Sequence, residues 1–377
     1  VWYALQNGGV KVQKQDGTWV TFDTTQPEVR QLADNMMSRI RFGPGGVTLL
    51  IGPLGAYVVY ASFQITQRRT GIFWNNDFVN DALIDTLGRF WVCTNRGPYR
   101  GANINAYEHV STLYSGSNVP SNEVPVTRIE QDTGGNVWLL SNSYSAEGIF
   151  CLTAADAWEK YTTATVPEIG SVDSNDLMPV PNGDVWFGLR YGNGIGRFRR
   201  GSGWTRTTMA TMSIDSSIVT SLAYTSGKLW FSSGYNPSVP GNGTGVHKVT
   251  LDGSGDFLSH EGFTYTSTST TLPSNRCRAV AADKSGNVWF GGYDRPSISR
   301  HKADGTWEMF NDTAGPFTMN FGVAAMGVDS ANIVYFYSYN STPFAYNANT
   351  DTWVTLPAPG TGSFGYPYGL YVDENDE

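Results

Sequence analysis

The sequence predicts an all-β fold: an eight-bladed β-propeller with four antiparallel strands in each blade. Three observations predict it. A phrase of apolar strand, Asp or Asn turn, glycine and Val-Trp-Phe recurs along the chain. The recurrences are about 47 residues apart, the length of one blade. The two ends of the chain join into one further copy of the phrase.

Composition agrees. The 377 residues include 43 glycines, with many Ser, Thr, Asn, Trp and Tyr, which suits short strands and many turns. Charged residues make up only 15%, and long Ala/Leu periodicities with Glu→Lys spacing are absent, so helical repeats are not expected. A net charge of −8 argues against nucleic acid or an anionic membrane as a partner bound by charge. No run of 18 apolar residues marks a membrane span, and no signal peptide is visible. Cys93, Cys151 and Cys277 match no zinc or redox spacing; they read as buried thiols, with one disulfide as the alternative.

The clearest copies of the phrase end at Trp138, Trp186, Trp230 and Trp289. Weaker copies centre on Trp91, Tyr335 and the Leu49–Leu50 pair, and Trp2 supplies one more. These eight anchors account for the whole chain and are read as strand B, joined to strand A by a tight turn. A second beat follows 17 to 20 residues later at Trp19, Trp158, Trp204, Trp307 and Trp353. It is read as strand D, entered by a C–D hairpin whose Asp-Gly pairs supply positive φ. The tryptophans are expected to fill the space between blades.

Val1-Trp2-Tyr3-Ala4 has no strand A before it, and Tyr371-Val-Asp-Glu-Asn-Asp-Glu377 has no strand B after it. Joined, Val372-Asp373 through Val1-Trp2 aligns without a gap on Ala282-Asp283 through Val288-Trp289. Residues 1–377 are therefore expected to form a single propeller domain in which 366–377 close onto 1–22. The missing Met and the broken A–B turn fit a domain taken from a longer polypeptide or larger assembly.

The copy Asp283-Lys-Ser-Gly-Asn-Val-Trp-Phe-Gly-Gly292, with Ser299 to Trp307 after it, resembles two propeller families. One is the two-component-regulator propeller repeat, found in periplasmic sensor domains of hybrid histidine kinases. The other is the streptogramin-lyase-like propeller. The resemblance covers about six of the eight units and implies the fold more than the function. Streptogramin-lyase relatives use histidine and acidic groups around a metal. This chain has His109, His247, His260 and His301, without His-x-His or His-Glu-x-x-His, and they are assigned to different units. His109 and His247 are placed in or near strand C, and His301 in a C–D hairpin. No residue is carried over from that catalytic pattern, and no metal or cofactor is expected.

In a propeller the B–C and D–A loops share one face, which usually carries ligands, and the A–B and C–D turns share the other. A tyrosine follows six of the anchors by four to eight residues: Tyr99, Tyr144, Tyr191, Tyr235, Tyr293 and Tyr339. Arg96, Arg100, Arg190 and Arg295 accompany them, and the D–A segments add Trp74, Phe317, Phe364, Tyr366 and Tyr368. Read as B–C loop residues, they form an aromatic ring suited to sugars or peptides, with guanidinium groups for carboxylates. The same tyrosines could equally cap strands and pack between blades.

Three functions follow from this pattern. The first is a non-catalytic recognition module, extracellular, on the cell surface or periplasmic, that binds glycan, peptide or protein on the aromatic face. The second is a polysaccharide lyase or glycoside hydrolase on the same face, with Asp77, Asp81, Asp176 and Glu123 near D–A loops as candidate acids. The third is a structural propeller that packs against copies of itself. Asp373, Glu374, Asp376 and Glu377 are read as solvated rather than as a Ca²⁺ site.

Overall fold

The computed structural model describes the chain except residues 6, 38, 54, 61, 71–78, 104, 142–147, 173, 191–192, 215–217, 234–244, 266–270, 273, 293–296, 312–321, 339–342, 357–366 and 373–377, and the side chains of 55, 68–70, 175, 278, 311, 324, 367–369 and 371. Described strands form eight separate four-stranded antiparallel sheets, each strand paired with its neighbour in the order A-B-C-D. Seven blades are continuous in sequence. Blade 1 takes strand A (Pro367–Tyr371) from the C-terminal region and strands B to D (Trp2–Leu5, Gly9–Gln13, Trp19–Phe22) from the N-terminus. The closing register places Trp2 opposite Tyr371 and Ala4 opposite Gly369. Blades 2 and 3 are four-stranded like the rest. Blade 3 ends in a short strand D (Tyr107–His109) followed by one helical turn (Val110–Leu113).

Strand A is innermost throughout. Blades 2 to 8 begin with Arg39–Gly43, Val79–Ile84, Val126–Gln131, Ser174–Pro179, Val219–Thr225, Cys277–Ala282 and Val323–Val328. With Pro367–Tyr371 they touch in succession around a closed ring. All eight anchors lie in strand B. Trp91, Trp138, Trp230 and Trp289 are fully or almost fully buried in the seams between blades. Burying about 200 Å² of tryptophan at about 25 cal/mol/Å² contributes about 5 kcal/mol per anchor. The five second-beat tryptophans lie in strand D of blades 1, 4, 5, 7 and 8 and pack at the outer side of the seams. Trp204 meets Trp138 and Phe187 across the blade 4–5 seam, and Trp353 meets Phe310 and Phe336 across the blade 7–8 seam.

The repeated Asp is explained by what it accepts. Asp283 Oδ2 takes hydrogen bonds from Trp289 Nε1 and Asn287 Nδ2, both at 2.8 Å, and Oδ1 takes the backbone N–H of Ser285 and Asn287, both at 2.9 Å. Asn287 Oδ1 in turn accepts the N–H of Ala303 in the C–D turn. Asp85, Asp132 and Asp329 do the same for Trp91, Trp138 and the Tyr335 hydroxyl. One carboxylate therefore holds the turn, the anchor and the neighbouring hairpin together. The three cysteines are buried thiols and form no disulfide.

The seams also carry polar locks on the outer strands. Arg100 of blade 3 lies over Trp91 and reaches Asp156 of blade 4, with Tyr114 between them. Arg197 of blade 5 lies over Trp186 and reaches Asp256 of blade 6. Arg300 of blade 7 lies over Trp289 and reaches Asp351 of blade 8 at 2.5 Å.

Changing Asp283 to Ala should strand four donors, one of them a buried indole N–H, and cost about 3 kcal/mol. Asp304, an exposed turn residue that accepts only from Thr306 in its turn, should cost less than about 1 kcal/mol when changed to Ala. Urea unfolding of the two variants checks the difference.

Candidate functional site

The site is built from the start of strand A, near the mouth onto which the B–C and D–A connections open. Ten residues before each anchor, nine in blade 6, the chain carries in order Arg39, Asp81, Arg128, Asp176, Ser221, Ala279, Ala325 and Gly369. Each pairs with the strand B residue two beyond the anchor, so all eight stand at one level of the ring. In seven blades the register shifts at this level. A bulge of this kind re-aims the side chain that follows it. The ring is thus divided: four successive blades alternate Arg and Asp, and the next four carry small residues.

The charged half is tightly paired. Asp81 is fully buried, yet it sits 2.7 Å from Arg41 and 3.6 Å from Arg39, and its Oδ2 also accepts the Ile129 N–H of the next blade. Burial alone would raise the Asp81 carboxyl; the Arg41 and Arg39 charges hold it below the usual carboxylate range. Arg128 donates to Asp176 at 2.7 Å, and Asp176 Oδ2 accepts the Leu222 N–H of the following blade at 2.8 Å. Both aspartates therefore make the same link, Arg of the preceding blade to carboxylate to N–H of the next. Arg41 also crosses blade 3 to reach Glu130 at 3.0 Å and the Ile129 carbonyl. Burial pushes the Glu130 carboxyl up, against the opposing pull of Arg41. Asn80 completes the arc: its carbonyl accepts from Arg39 and its amide donates to the Val126 carbonyl.

Of the aromatic ring read from the sequence, Tyr144, Tyr191, Tyr235, Tyr293, Tyr339 and Arg295 lie outside the described residues, as do Trp74, Asp77, Phe317, Phe364 and Tyr366. Tyr99 is described, and it is not a loop residue. The B–C connection of blade 3 is the short turn around Asn95 and Arg96, so Tyr99 falls inside strand C (Gly97–Gly101), opposite Val92 and His109. Its ring meets the His109 imidazole edge-on at 4.7 Å. Arg96 is exposed in that turn, and its carbonyl accepts from His109 Nε2 at 2.8 Å. Arg190 directly follows strand B of blade 5 (Val185–Leu189) and forms an isolated bridge with Ile218 at the entry to blade 6. Arg100 is in strand C, within the seam lock. Asp81 and Asp176 are strand A residues rather than loop residues, and Glu123 is exposed and apart from the arc.

The histidines are also redistributed. His109 ends strand D, not strand C. His301 ends strand C of blade 7 beside its C–D turn. His247 and His260 belong to one blade, in strands C and D of blade 6, with Nδ1 and Nε2 3.1 Å apart. Burial, reinforced by His260, lowers His247 to about 3. Among the described residues no group of three or more His, Cys, Asp or Glu is arranged to hold a metal.

An eight-bladed ring with a half-charged mouth defines the class of protein. Residues 271–294, the strand A–turn–strand B unit of blade 7, match the two component regulator propeller family model. No curated protein matches the chain. Among solved structures, virginiamycin B lyase from Staphylococcus aureus aligns at TM-score 0.54 and 15% identity, over 84% of this chain and 93% of that one. Sqt1 of Saccharomyces cerevisiae aligns at 0.59 and 11%, over 85% and 84%. The dihydro-heme d1 dehydrogenase NirN aligns at 0.63 and 10%, over 100% and 75%. Identities this low show a shared fold.

The His247 shift has a definite sign. An unfolded histidine titrates near 6.5, and the native one is held lower, so the unfolded state binds the extra proton first as pH falls. Stability should drop by about 1.4 kcal/mol per pH unit below pH 6 for each such histidine. His247→Gln should remove one such contribution from the slope of unfolding free energy between pH 6 and 4.5, measured by urea titration at each pH.

Proposed function

We propose that this propeller is a non-catalytic recognition module acting outside the cytoplasm, and that it takes a polar ligand, glycan or peptide, at the B–C/D–A mouth of its channel. The observation that carries the reading is the division of the strand A ring. Arg39, Arg41, Asn80 and Arg128 place fixed polar groups in one half of the ring, while Ser221, Ala279, Ala325 and Gly369 put small residues at that level in the other. A guest entering over the small half would meet guanidinium groups already held in place by carboxylates, so little side-chain entropy remains to be lost on binding. Tyr144, Tyr191, Tyr235, Tyr293 and Tyr339, with Arg295, would frame that guest as stacking and polar contacts. The family match of residues 271–294 supports a sensory or recognition role, and with it a place outside the cytoplasm.

The pairing of the aspartates favours binding over catalysis. Asp81 and Asp176 are committed to arginines and to backbone N–H groups of the next blade, which is how structural carboxylates are used. A lyase or hydrolase remains the second reading for one reason: Glu130 is held up rather than down and sits beside Arg41, as a general acid would. Self-assembly has less support. Among the described residues the large exposed apolar side chains are dispersed, with Phe257 and Leu258 adjacent on one outer strand.

A glycan and peptide array, followed by calorimetry on the hit, tests the reading. Ala325→Phe, which fills the small half, and Arg41→Ala, which opens the charged half, should each weaken binding by roughly tenfold or more, the scale of a lost charged hydrogen bond. Wild-type protein that binds nothing, or folded variants that bind as well as wild type, would defeat it. Conversion of the bound hit by wild type, abolished in Glu130→Gln, would transfer the function to the enzyme reading.

A further inference from the structure

On the opposite face, the A–B turn of blade 6 departs from those of blades 3, 4, 7 and 8, in which an aspartate receives the anchor. In blade 7 the turn pairs Asp283 with Asn287, and the Asp283 carboxylate receives the anchor indole. In blade 6 the turn is one residue shorter: Thr225 pairs directly with Lys228 through Ser226 and Gly227, whose φ values of 50° and 72° make a primed hairpin turn. Counted from the anchor along the paired strands, Thr225 stands where Asp283 stands and Lys228 where Asn287 stands. The carboxylate has been replaced by a short hydroxyl, and the amide by an ammonium group. The anchor itself is unchanged. Trp230 is 1% exposed, and its Nε1–H has no hydrogen-bond partner among the described residues.

Space has opened at the vacated place. A cavity of about 70 Å³ is lined by Thr225, Ser226, Lys228 and Trp230 of blade 6 and by Gly286, His301, Lys302 and Ala303 of blade 7. At roughly 30 Å³ per liquid water it has room for about two waters, or for a carboxylate group. Its charge is one-sided. Lys228 makes no ion pair among the described residues, Lys302 is held at 3.2 Å by Glu308, and Lys248, itself paired with Glu261, lies over the Trp230 ring. No acid lines the cavity. His301 is kept neutral first by burial and then by the positive charge of Lys248 and Lys228.

We propose that this cavity binds a carboxylate, which takes the place of the missing aspartate by accepting from Trp230 Nε1 and pairing with Lys228. A buried donor without a partner costs about 1–3 kcal/mol, and a carboxylate meets it together with a cation and two hydroxyls. The carboxylate comes either from a free small acid or from an Asp or Glu side chain of a protein docked on this short-turn face. The site is independent of the mouth, so neither reading stands or falls with the other.

Two-dimensional NMR of the indole N–H groups reads the site directly, with the Trp230 signal identified by its loss in Trp230→Phe. Sodium acetate should shift that signal to saturation while sodium chloride at equal ionic strength does not. Lys228→Gln should weaken the acetate response by roughly tenfold. Thr225→Asp, which restores the carboxylate within the chain, should abolish the response and raise the melting temperature. An acidic peptide that saturates the signal at much lower concentration than acetate assigns the site to a protein side chain; one that binds no better assigns it to a free acid. A Trp230 signal that ignores acetate, follows chloride equally, or still responds in folded Thr225→Asp overturns the proposal.

Discussion

A closed ring of separate sheets has no hydrogen-bonded ladder running from one blade to the next, so everything depends on the seams. Strand A is the inner edge of each sheet, and neighbouring blades meet through side chains, some of which pair with its backbone. The strand B anchors supply the apolar part of each seam, and ion pairs supply direction. These locks alternate in depth. The seams between blades 2 and 3 and between 4 and 5 are pinned at the inner strand, by Arg41 with Asp81 and by Arg128 with Asp176. The seams 3–4, 5–6 and 7–8 are pinned farther out, where a strand C arginine lying over the anchor reaches an aspartate in the next C–D turn. Seams with no such lock among the described residues have aromatic contacts: Trp2 with Phe42 and Phe63 between blades 1 and 2, Tyr3 with Tyr337 between 8 and 1, and Phe263 with Trp307 between 6 and 7.

The inner locks account for the character of the channel mouth. An arginine that holds two blades together by a buried carboxylate is also an arginine fixed in direction, and Arg41 and Arg128 remain partly exposed. For the binding role proposed above, rigidity needed for closure would serve as preorganisation. The blades without inner locks need no large side chain at that level, and they carry Ser221, Ala279, Ala325 and Gly369. The asymmetry of the mouth is thus a consequence of how the seams are divided between inner and outer pins.

Much of the fold is legible in the sequence because a propeller repeats its packing residues at fixed intervals. The anchors, the strand D tryptophans and the closure of Val372 onto Val1 all rest on that periodicity. The charged arc was equally regular, ten residues before the anchors, but alternation alone does not point to it: the bulge at that level shifts the register, so Asp81 and Asp176 look like residues of the preceding loop. Tyr99 was misplaced for a related reason. Distance from the anchor does not reveal that the B–C connection of blade 3 is a tight turn, which puts the tyrosine back into strand C. The His247–His260 contact joins two strands of one hairpin, and only the C–D register brings the two rings together.

The claim that cross-blade ion pairs hold the ring is tested most directly by a double-mutant cycle on Arg128 and Asp176, using Arg128→Leu, Asp176→Leu and the double variant in urea unfolding. Partly buried pairs of this geometry couple by about 1–2 kcal/mol, with each single variant costing more than the pair removed together would suggest. That result fits a ring pinned at its inner strand. A coupling energy below about 0.5 kcal/mol would contradict it, leaving the seams to aromatic packing alone.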